Sequence, residues 1–271
     1  MKAIILTIIT IIFPFSVFAS QNIIFGAICT IDPQLMEKKL KPFMHEIEKA
    51  TGKKLIFKTG YNYADTIEKF ADGTFDIGYI GPIPYIKAQR INPDSLKILA
   101  GIKNSKDKPF RSVIISKKGS RFKRYQDLRG QNFAFGSPNS TLSYYVPRYM
   151  LEQKHIMQKL KNYHFLGRHD KVAQYVIMGK FAAGAIKQSI ANKYSKYIQV
   201  IDQSKSMPGF IIVANKKLDE KTTQQIQELL LNFKNISAIK KLKKSAVGFE
   251  ARYDKDYNDL RDMMKKVESY K

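Results

Sequence analysis

Residues 133–147, FAFGSPNSTLSYYVP, read as an apolar strand, a turn and the start of a helix in immediate succession. Gly136-Ser137-Pro138-Asn139 supplies typical turn residues, and Ser140 is a favoured helix N-cap. Pro147 lies seven residues past Ser140 and predicts that the helix is interrupted or restarts there. This strand–turn–helix unit indicates an α/β fold.

Strand and helix patterns alternate along the rest of the chain, which predicts an α/β fold with mostly parallel sheets. A polar, turn-rich stretch at 117–130 separates two sets of such units. We therefore predict two lobes joined by two crossing strands, with lobe 1 formed by 20–116 plus 210–271 and lobe 2 by 117–209. Ligands of open α/β sheets bind at the carboxyl ends of the strands, so the cleft between the lobes is the expected binding site.

The turn before the helix is a candidate anion site. Such a turn aims several free backbone N–H groups at one point, and the helix dipole adds partial positive charge there. Ser140 and Thr141 add hydroxyl donors, so the segment fits a phosphate-like anion. The alternative is structural, because a serine in this position is also the usual N-cap of an ordinary helix.

The first residues of the chain have the pattern of a secretory signal. Lys2 precedes an apolar run of 15 residues from Ile4 to Phe18, and the small residue Ala19 then favours cleavage after it. The alternative is an uncleaved membrane anchor, but a bilayer core requires about 20 apolar residues, and Pro14 would interrupt such a helix. We therefore predict a signal peptide at 1–19 and a periplasmic mature protein.

Composition narrows the possible partners. The chain has 47 Lys and Arg against 23 Asp and Glu, a formal net charge of +24, which favours nucleic acid, anionic membranes or small anions as partners. Export argues against nucleic acid as the partner.

The lone Cys29 allows no internal disulfide and no zinc site of several thiolates, and it is predicted to be a small buried apolar residue. The four histidines have no paired metal-ligand spacing, so we predict no metal, no cofactor and no enzymatic activity.

Three other residues are candidates for the same anion site. His169 is predicted to start a helix after a strand, where the helix N-terminus lowers the histidine pKa and leaves a donor for an anionic oxygen. Tyr63 and Tyr85 each follow a predicted strand and bring phenolic donors without full charge. Each has a structural alternative, since a lone histidine is often a cap and a tyrosine is often part of the core.

Taken together, these segments resemble the periplasmic phosphate-, phosphite- and phosphonate-binding components of ABC transporters, a branch of the type II solute-binding proteins. The resemblance runs from about Ile23 to Leu231. Its motifs are Thr51-Gly52 with Tyr63, the run from Gly73 to Pro82 (GTFDIGYIGP) with Tyr85, Asp127-Leu128-Arg129-Gly130, Ser140-Thr141 with Pro147, Gly167-Arg168-His169-Asp170, and Ser204 with Pro208.

The resemblance implies a two-lobed type II fold and a set of ligand-binding residues. In that family the oxyanion is held by the Ser-Thr turn, the histidine and tyrosines of the first lobe. Matched residue by residue, these are Ser140, Thr141, His169, Tyr63 and Tyr85. The family usually continues Ser-Thr-Ser-Gly, whereas this chain has Leu142 and Ser143. One hydroxyl is therefore missing, and Leu142 and Ser143 are expected to contribute backbone amides.

Two further departures bear on the ligand. Family members that take an aminoalkyl phosphonate hold its ammonium group with carboxylates, but this chain has Ala182 and Gly209 in the matching stretches. A buried ammonium without a counter-charge is costly, so the expected ligand is phosphate, phosphite or an amine-free phosphonate. The resemblance implies a monomer that delivers this ligand to a membrane ABC permease. The alternatives are a ligand-sensing module for a membrane kinase or receptor and, less favoured, a phosphate-ester enzyme.

Overall fold

The computed structural model describes residues 22–28, 30–106 and 109–270. The predicted signal peptide at 1–19, its cleavage site after Ala19, and Cys29 lie outside these residues. The described part of the chain folds into two β-sheets flanked by helices. No helix within it is both long and apolar enough to cross a membrane.

The strands in chain order are β1 (Ile23–Ala27), β2 (Leu55–Lys58), β3 (Ile77–Ile80), β4 (Leu96–Asn104), β5 (Ser112–Lys117), β6 (Asn132–Phe135), β7 (Asn162–Phe165), β8 (Ala183–Lys187), β9 (Ile198–Gln203), β10 (Ile211–Asn215) and β11 (Ala246–Glu250). The α-helices are α1 (Pro33–Thr51), α2 (Tyr63–Ala71), α3 (Pro82–Ile91), α4 (Val146–Gln153), α5 (His169–Ile177), α6 (Gln188–Lys193), α7 (Glu220–Leu231), α8 (Ile236–Leu242) and α9 (Asn258–Ser269). Short 3₁₀ turns lie at Tyr125–Leu128, Met157–Lys159 and Asp254–Tyr257, and a π-helical turn at Thr141–Tyr145 precedes α4.

The two sheets have the same plan at their centres. The first sheet has the order β11-β4-β10-β3-β1-β2, and the second has the order β7-β6-β8-β5-β9. In the first, β1 is parallel to both β2 and β3. In the second, β6 is parallel to both β7 and β8. Each sheet therefore contains three neighbouring parallel strands whose carboxyl ends lie at one edge.

The prediction of a two-lobed α/β fold with mostly parallel sheets is confirmed, and three described strands, β5, β10 and β11, run against the common direction of their sheets. Among the described strands, β10 runs antiparallel to β3 and β4, and β4 runs antiparallel to β11. In the second sheet, β5 runs antiparallel to β8 and β9. The reason is the double crossing of the chain, which inserts β5 and β10 beside the parallel strands in the reverse direction.

The chain changes sheets earlier than the sequence pattern indicates. It leaves the first sheet after Asn104 and enters the second with β5 at Ser112, whereas the lobe boundary was predicted at residue 117. It returns between β9 and β10. Strand β11 was not predicted, because it has only five residues and Gly248 among them weakens the strand pattern. In the sheet, its pairing with β4 has a register shift between Ala246 and Gly248.

Helix α1 illustrates how the predicted apolar repeat builds the core. Met36, Leu40, Phe43 and Ile47 are all buried on one face of it. Pro42 lies inside the helix without ending it. Gly52 ends α1 in the left-handed conformation with a φ of 68°, which glycine adopts without strain.

The lobes are packed against each other. Leu142, Tyr145 and Val146, which follow the second sheet's β6, belong to the same apolar cluster as the core of the first lobe. The Tyr145 hydroxyl donates to Glu268 of α9 at 3.0 Å, and Nζ of Lys187 in the second lobe donates to Thr30 of the first at 2.8 Å. The structure is therefore that of a closed cleft.

Candidate functional site

The carboxyl ends of the two parallel strand sets meet in the cleft between the lobes. There they surround one small cavity, which we call the oxyanion cavity. Its lining residues are Ile28, Thr30, Tyr63, Gly81, Pro84, Phe110, Ser140, Thr141, Leu142, His169, Lys187 and Phe210. Most of these follow β1, β2 or β3 in the first lobe and β6, β7 or β8 in the second. The fold thus brings segments more than a hundred residues apart to the switch point where α/β sheets bind ligands.

The oxyanion cavity is the size of one small anion. The volume inside the cavity that the centre of a water molecule can reach is about 20 Å³. Once the water radius of about 1.4 Å is added, a round hole of this kind has a radius of about 3 Å. That is the scale of a single tetrahedral oxyanion, measured from its central atom to the surface of its oxygens.

The two hydroxyls of the turn are prepared to donate. Ser140 Oγ accepts a hydrogen bond from the Ser143 amide at 3.2 Å, so Ser140 is indeed the N-cap. Thr141 Oγ1 accepts from the Ile83 amide of α3 at 3.0 Å. A hydroxyl has one proton and two lone pairs. Because each oxygen already accepts from an amide, its proton remains for a further acceptor such as an anionic oxygen.

Backbone amides of the same turn add donors. In the described part of the chain, the amides of Thr141 and Leu142 have no hydrogen-bond acceptor, as expected for the first residues of a helix. The turn is π-helical, with the Tyr145 amide bonded to the Ser140 carbonyl at 3.1 Å. The α-helix then begins at Val146 with Pro147 in its first turn, so the prediction of a restart at Pro147 is confirmed.

His169 is a neutral donor. It is buried at the first position of α5, and its Nδ1 accepts a hydrogen bond from the Lys187 backbone amide at 3.1 Å. An amide can only donate, so the ring proton must reside on Nε2. Burial, assisted by the Lys187 ammonium, holds the pKa of His169 well below its usual range. The ring thus presents an N–H to the cavity without a charge that would titrate near neutral pH.

Lys187 supplies a cation to the site, and it was not among the residues predicted from the sequence. It is the last residue of β8, and its Nζ donates to Thr30 of the first lobe at 2.8 Å. Burial, together with the Lys39 charge, lowers the pKa of Lys187 to about 8. Its position at the carboxyl end of a predicted strand could have indicated a ligand-binding role. Among 47 basic residues, however, a single lysine does not stand out.

Two of the predicted site residues do not line the cavity. Tyr85 is buried in α3, and its hydroxyl donates to Asp254 at 2.8 Å, away from the cleft. Ser143 is also buried behind the turn, where any side chain at position 136 in place of Gly136 would overlap its hydroxyl. The structure does bring together the other five, which are Tyr63, Ser140, Thr141, Leu142 and His169.

The side chains and amides that line the cavity favour an anionic ligand. It offers hydroxyl, amide and imidazole donors and one ammonium, together with the apolar rings of Phe110 and Phe210. None of the described residues that line the cavity carries a carboxylate. In addition, the described residues contain no group of three or more His, Cys, Asp or Glu placed to hold a metal ion. The arrangement can therefore hold an anion through short hydrogen bonds but offers no counter-charge to a ligand ammonium.

Comparison with known proteins agrees with this geometry. The family model described as "ABC transporter, phosphonate, periplasmic substrate-binding protein" matches residues 25–257. A probable ABC transporter phosphite-binding protein of Prochlorococcus marinus is 28% identical over 191 residues, which cover 66% of this chain and 63% of that protein. The phosphonates-binding periplasmic protein of Escherichia coli is 25% identical over 223 residues, covering 77% of this chain and 65% of the relative. The matched stretches thus span a little less than two thirds of these relatives.

A solved structure shows the same fold. The structure of PhnD1 from Prochlorococcus marinus in complex with methylphosphonate superposes with a TM-score of 0.82 at 22% identity, covering 92% of this chain and 98% of that one. The family match extends over most of the chain, from β1 to the start of α9. The chain therefore belongs to the family of periplasmic substrate-binding proteins of phosphonate ABC transporters.

Proposed function

We propose that this protein captures a small, amine-free tetrahedral oxyanion between its lobes and delivers it to a membrane ABC permease. The ligand is phosphate, phosphite or a simple phosphonate such as methylphosphonate. The observation that carries the proposal is the oxyanion cavity, where Ser140, Thr141 and His169 present neutral donors around a space for one such anion. The names of the relatives, a phosphite-binding and a phosphonates-binding protein, support this ligand class.

Neutral, preorganised donors suit reversible capture. The hydroxyls and the imidazole are fixed by backbone amides, so they lose little freedom when the anion binds. A single ammonium contributes charge without an excess that would slow release. Residues Ser140, Thr141, Leu142 and His169 come from the second lobe and Tyr63 from the first, so the ligand holds the lobes together.

The remaining parts of the proposal concern location and assembly. The mature protein acts in the periplasm as a monomer after cleavage behind Ala19. Its two lobes are the two sheets, which open to admit the anion and close around it. The closed form is the one that docks on the permease.

Isothermal titration of the purified protein with methylphosphonate, phosphite and phosphate tests the proposal. We expect saturable binding of at least one of them and weaker binding of 2-aminoethylphosphonate, whose ammonium finds no carboxylate in the cavity. Replacement His169→Ala should weaken binding by about 1–3 kcal/mol, or roughly 5- to 150-fold in Kd. The matched control is His164→Ala, which changes an exposed histidine of β7 outside the cavity. Absence of binding to all three anions would overturn the proposal.

A further inference from the structure

A second, much larger cavity adjoins the oxyanion cavity; we call it the basic chamber. It has about 540 Å³ of free space by the same measure. The two cavities share the lining residues Thr30, Phe110, Leu142, Lys187 and Phe210. Residues of both lobes line the chamber, including α1 in the first lobe and α6 in the second. A group attached to an anion in the small cavity can therefore extend into the large one.

The lining of the basic chamber is strongly cationic. It contains the six basic side chains Lys39, Arg111, Lys187, Lys193, Lys243 and Lys244. The other lining residues that the structure describes are neutral, and none of them is an aspartate or a glutamate. The charges come from distant parts of the sequence, so the fold itself gathers them in one place.

Two of these side chains each have a buried nitrogen atom without a hydrogen-bond partner among the described residues. The atoms are Nζ of Lys243 and Nε of Arg111. The Lys243 ammonium lies 5.2 Å from the centre of the Phe110 ring, which is a weak substitute for an anion. An unpaired buried charge costs free energy. A group that supplied acceptors to these atoms would recover that cost.

The cations of the chamber also destabilise one another's charged forms. Burial, and secondarily the Lys187 charge, lowers the pKa of Lys243 to about 7. Burial and the charges of Lys244 and Lys193 lower the pKa of Lys39. A negative group placed among these side chains would relieve the repulsion.

We infer that the physiological ligand carries a second anionic group, a carboxylate or a further phosphoryl group, which lies in the basic chamber while its tetrahedral head occupies the oxyanion cavity. This inference rests on the proposed function and extends its ligand class to phosphonates and phosphates with an acidic tail. A ligand with only a tetrahedral head occupies the oxyanion cavity and leaves the neighbouring cations of the chamber without an anion. A neutral tail would bury the same cations without pairing them.

Titration with a matched set of ligands tests the inference. Phosphonoacetate and phosphonoacetamide have nearly the same shape but differ by the charge of the tail, and methylphosphonate has the head alone. We expect phosphonoacetate to bind roughly tenfold or more tightly than phosphonoacetamide, because its carboxylate gains charge-assisted hydrogen bonds. Replacement Lys243→Met should remove most of that difference and leave the Kd of methylphosphonate within about twofold, since Lys243 lies outside the oxyanion cavity.

The control variant is Lys241→Met, an exposed lysine of α8 that lines neither cavity. It removes the same charge from the same region and should leave the difference between the two tails unchanged. Equal affinity for phosphonoacetate and phosphonoacetamide would overturn the inference while binding of methylphosphonate kept the proposed function intact. An equal loss for all ligands in Lys243→Met would also overturn it, since the chamber would then act only as a diffuse attractive field. Failure of every ligand to bind would overturn both proposals.

Discussion

The oxyanion cavity and the basic chamber share a wall but recognise charge in opposite ways. The smaller one surrounds about 20 Å³ with hydroxyl, amide and imidazole donors held by the backbone. The larger one surrounds about 540 Å³ with the ends of long lysine and arginine side chains. Fixed neutral donors select a shape, because their positions cannot adjust to a different anion. Mobile cations select charge over a range of shapes.

The difference also shows why a very basic protein can have a nearly uncharged anion site. Several ammonium groups around a tight cavity would repel one another when no ligand is bound, and this repulsion costs free energy. Hydrogen bonds from neutral groups avoid that cost and still provide strong contacts to an anionic acceptor. The chamber has room to spread its charges, and its lysines reduce their repulsion by lowered pKa values.

The largest effect is expected from removal of both hydroxyls of the turn. The double replacement Ser140→Ala and Thr141→Val should weaken binding of methylphosphonate by about 2–6 kcal/mol, the sum of two charge-assisted hydrogen bonds. Titration calorimetry measures this loss. The matched control is Ser189→Ala, which removes a hydroxyl from the basic chamber and should leave the Kd unchanged.

Loss of the cap should also lower stability by about 1 kcal/mol, which thermal unfolding of the ligand-free protein can check. If the double variant kept the wild-type affinity, the cavity would not be the binding site, whatever the contribution of the chamber.

An intermediate effect is expected from Lys187, the cation that lies on the shared wall. Its pKa of about 8 means that its charge disappears as the pH rises from 7 to 9. The fraction of protein molecules with a charged Lys187 then falls about tenfold, so the Kd of methylphosphonate should rise by up to that factor, since the neutral donors of the cavity remain. Titrations of wild type and Lys187→Met across this range separate the residue's contribution from the ligand's own protonation, which is common to both proteins.

The lowered pKa of Lys187 also affects how the free energy of unfolding depends on pH. The pKa of Lys187 lies below the unfolded value of 10.5, so the unfolded chain binds more protons between these two pH values. This residue's contribution to the free energy of unfolding therefore increases with pH from about 8 to about 10.5.

His169 should not affect the pH dependence of ligand binding near neutral pH. Because its pKa is well below its usual value, it stays neutral there, and ligand affinity should show no inflection from it between pH 6.5 and 8.

The smallest effect on binding is expected from Tyr85. Since its hydroxyl donates to Asp254 rather than to the cavity, Tyr85→Phe should change the Kd by less than about twofold. The free energy of unfolding of the Tyr85→Phe variant should fall by about 0.5–1.5 kcal/mol, because one hydrogen bond is lost. Urea unfolding measures this change. Tyr63→Phe is the comparison within the cavity, and its Kd should rise. A large loss of affinity in Tyr85→Phe alone would mean that this tyrosine reaches the ligand in another arrangement of the lobes.

Tyr63 and Tyr85 also show how far local sequence could predict the site. Both follow a strand of the first sheet and belong to the beginning of a helix. Tyr63 is the first residue of α2 and stays at the strand's carboxyl end, on the cavity. Tyr85 is the fourth residue of α3, so the helical rotation turns it away. The sequence places both near the cleft, but the side-chain direction depends on helix phase and on Asp254, 169 positions away.

The amino-acid sequence by itself determined the parts of this protein that depend on neighbours along the chain. The apolar repeat of α1, the strand before Gly136, the Ser140 cap and the restart at Pro147 follow from local propensity and hydrogen bonding. These local interactions were sufficient to indicate an α/β fold and a donor-rich turn.

Only the tertiary structure decided what surrounds that turn. The antiparallel β5 and β10, the proton on Nε2 of His169, the ammonium of Lys187 and the basic chamber all depend on contacts between distant segments. The reason is that burial and charge proximity, which set pKa values and the cost of an unpaired cation, are properties of the packed lobes. They are absent from any short stretch of chain.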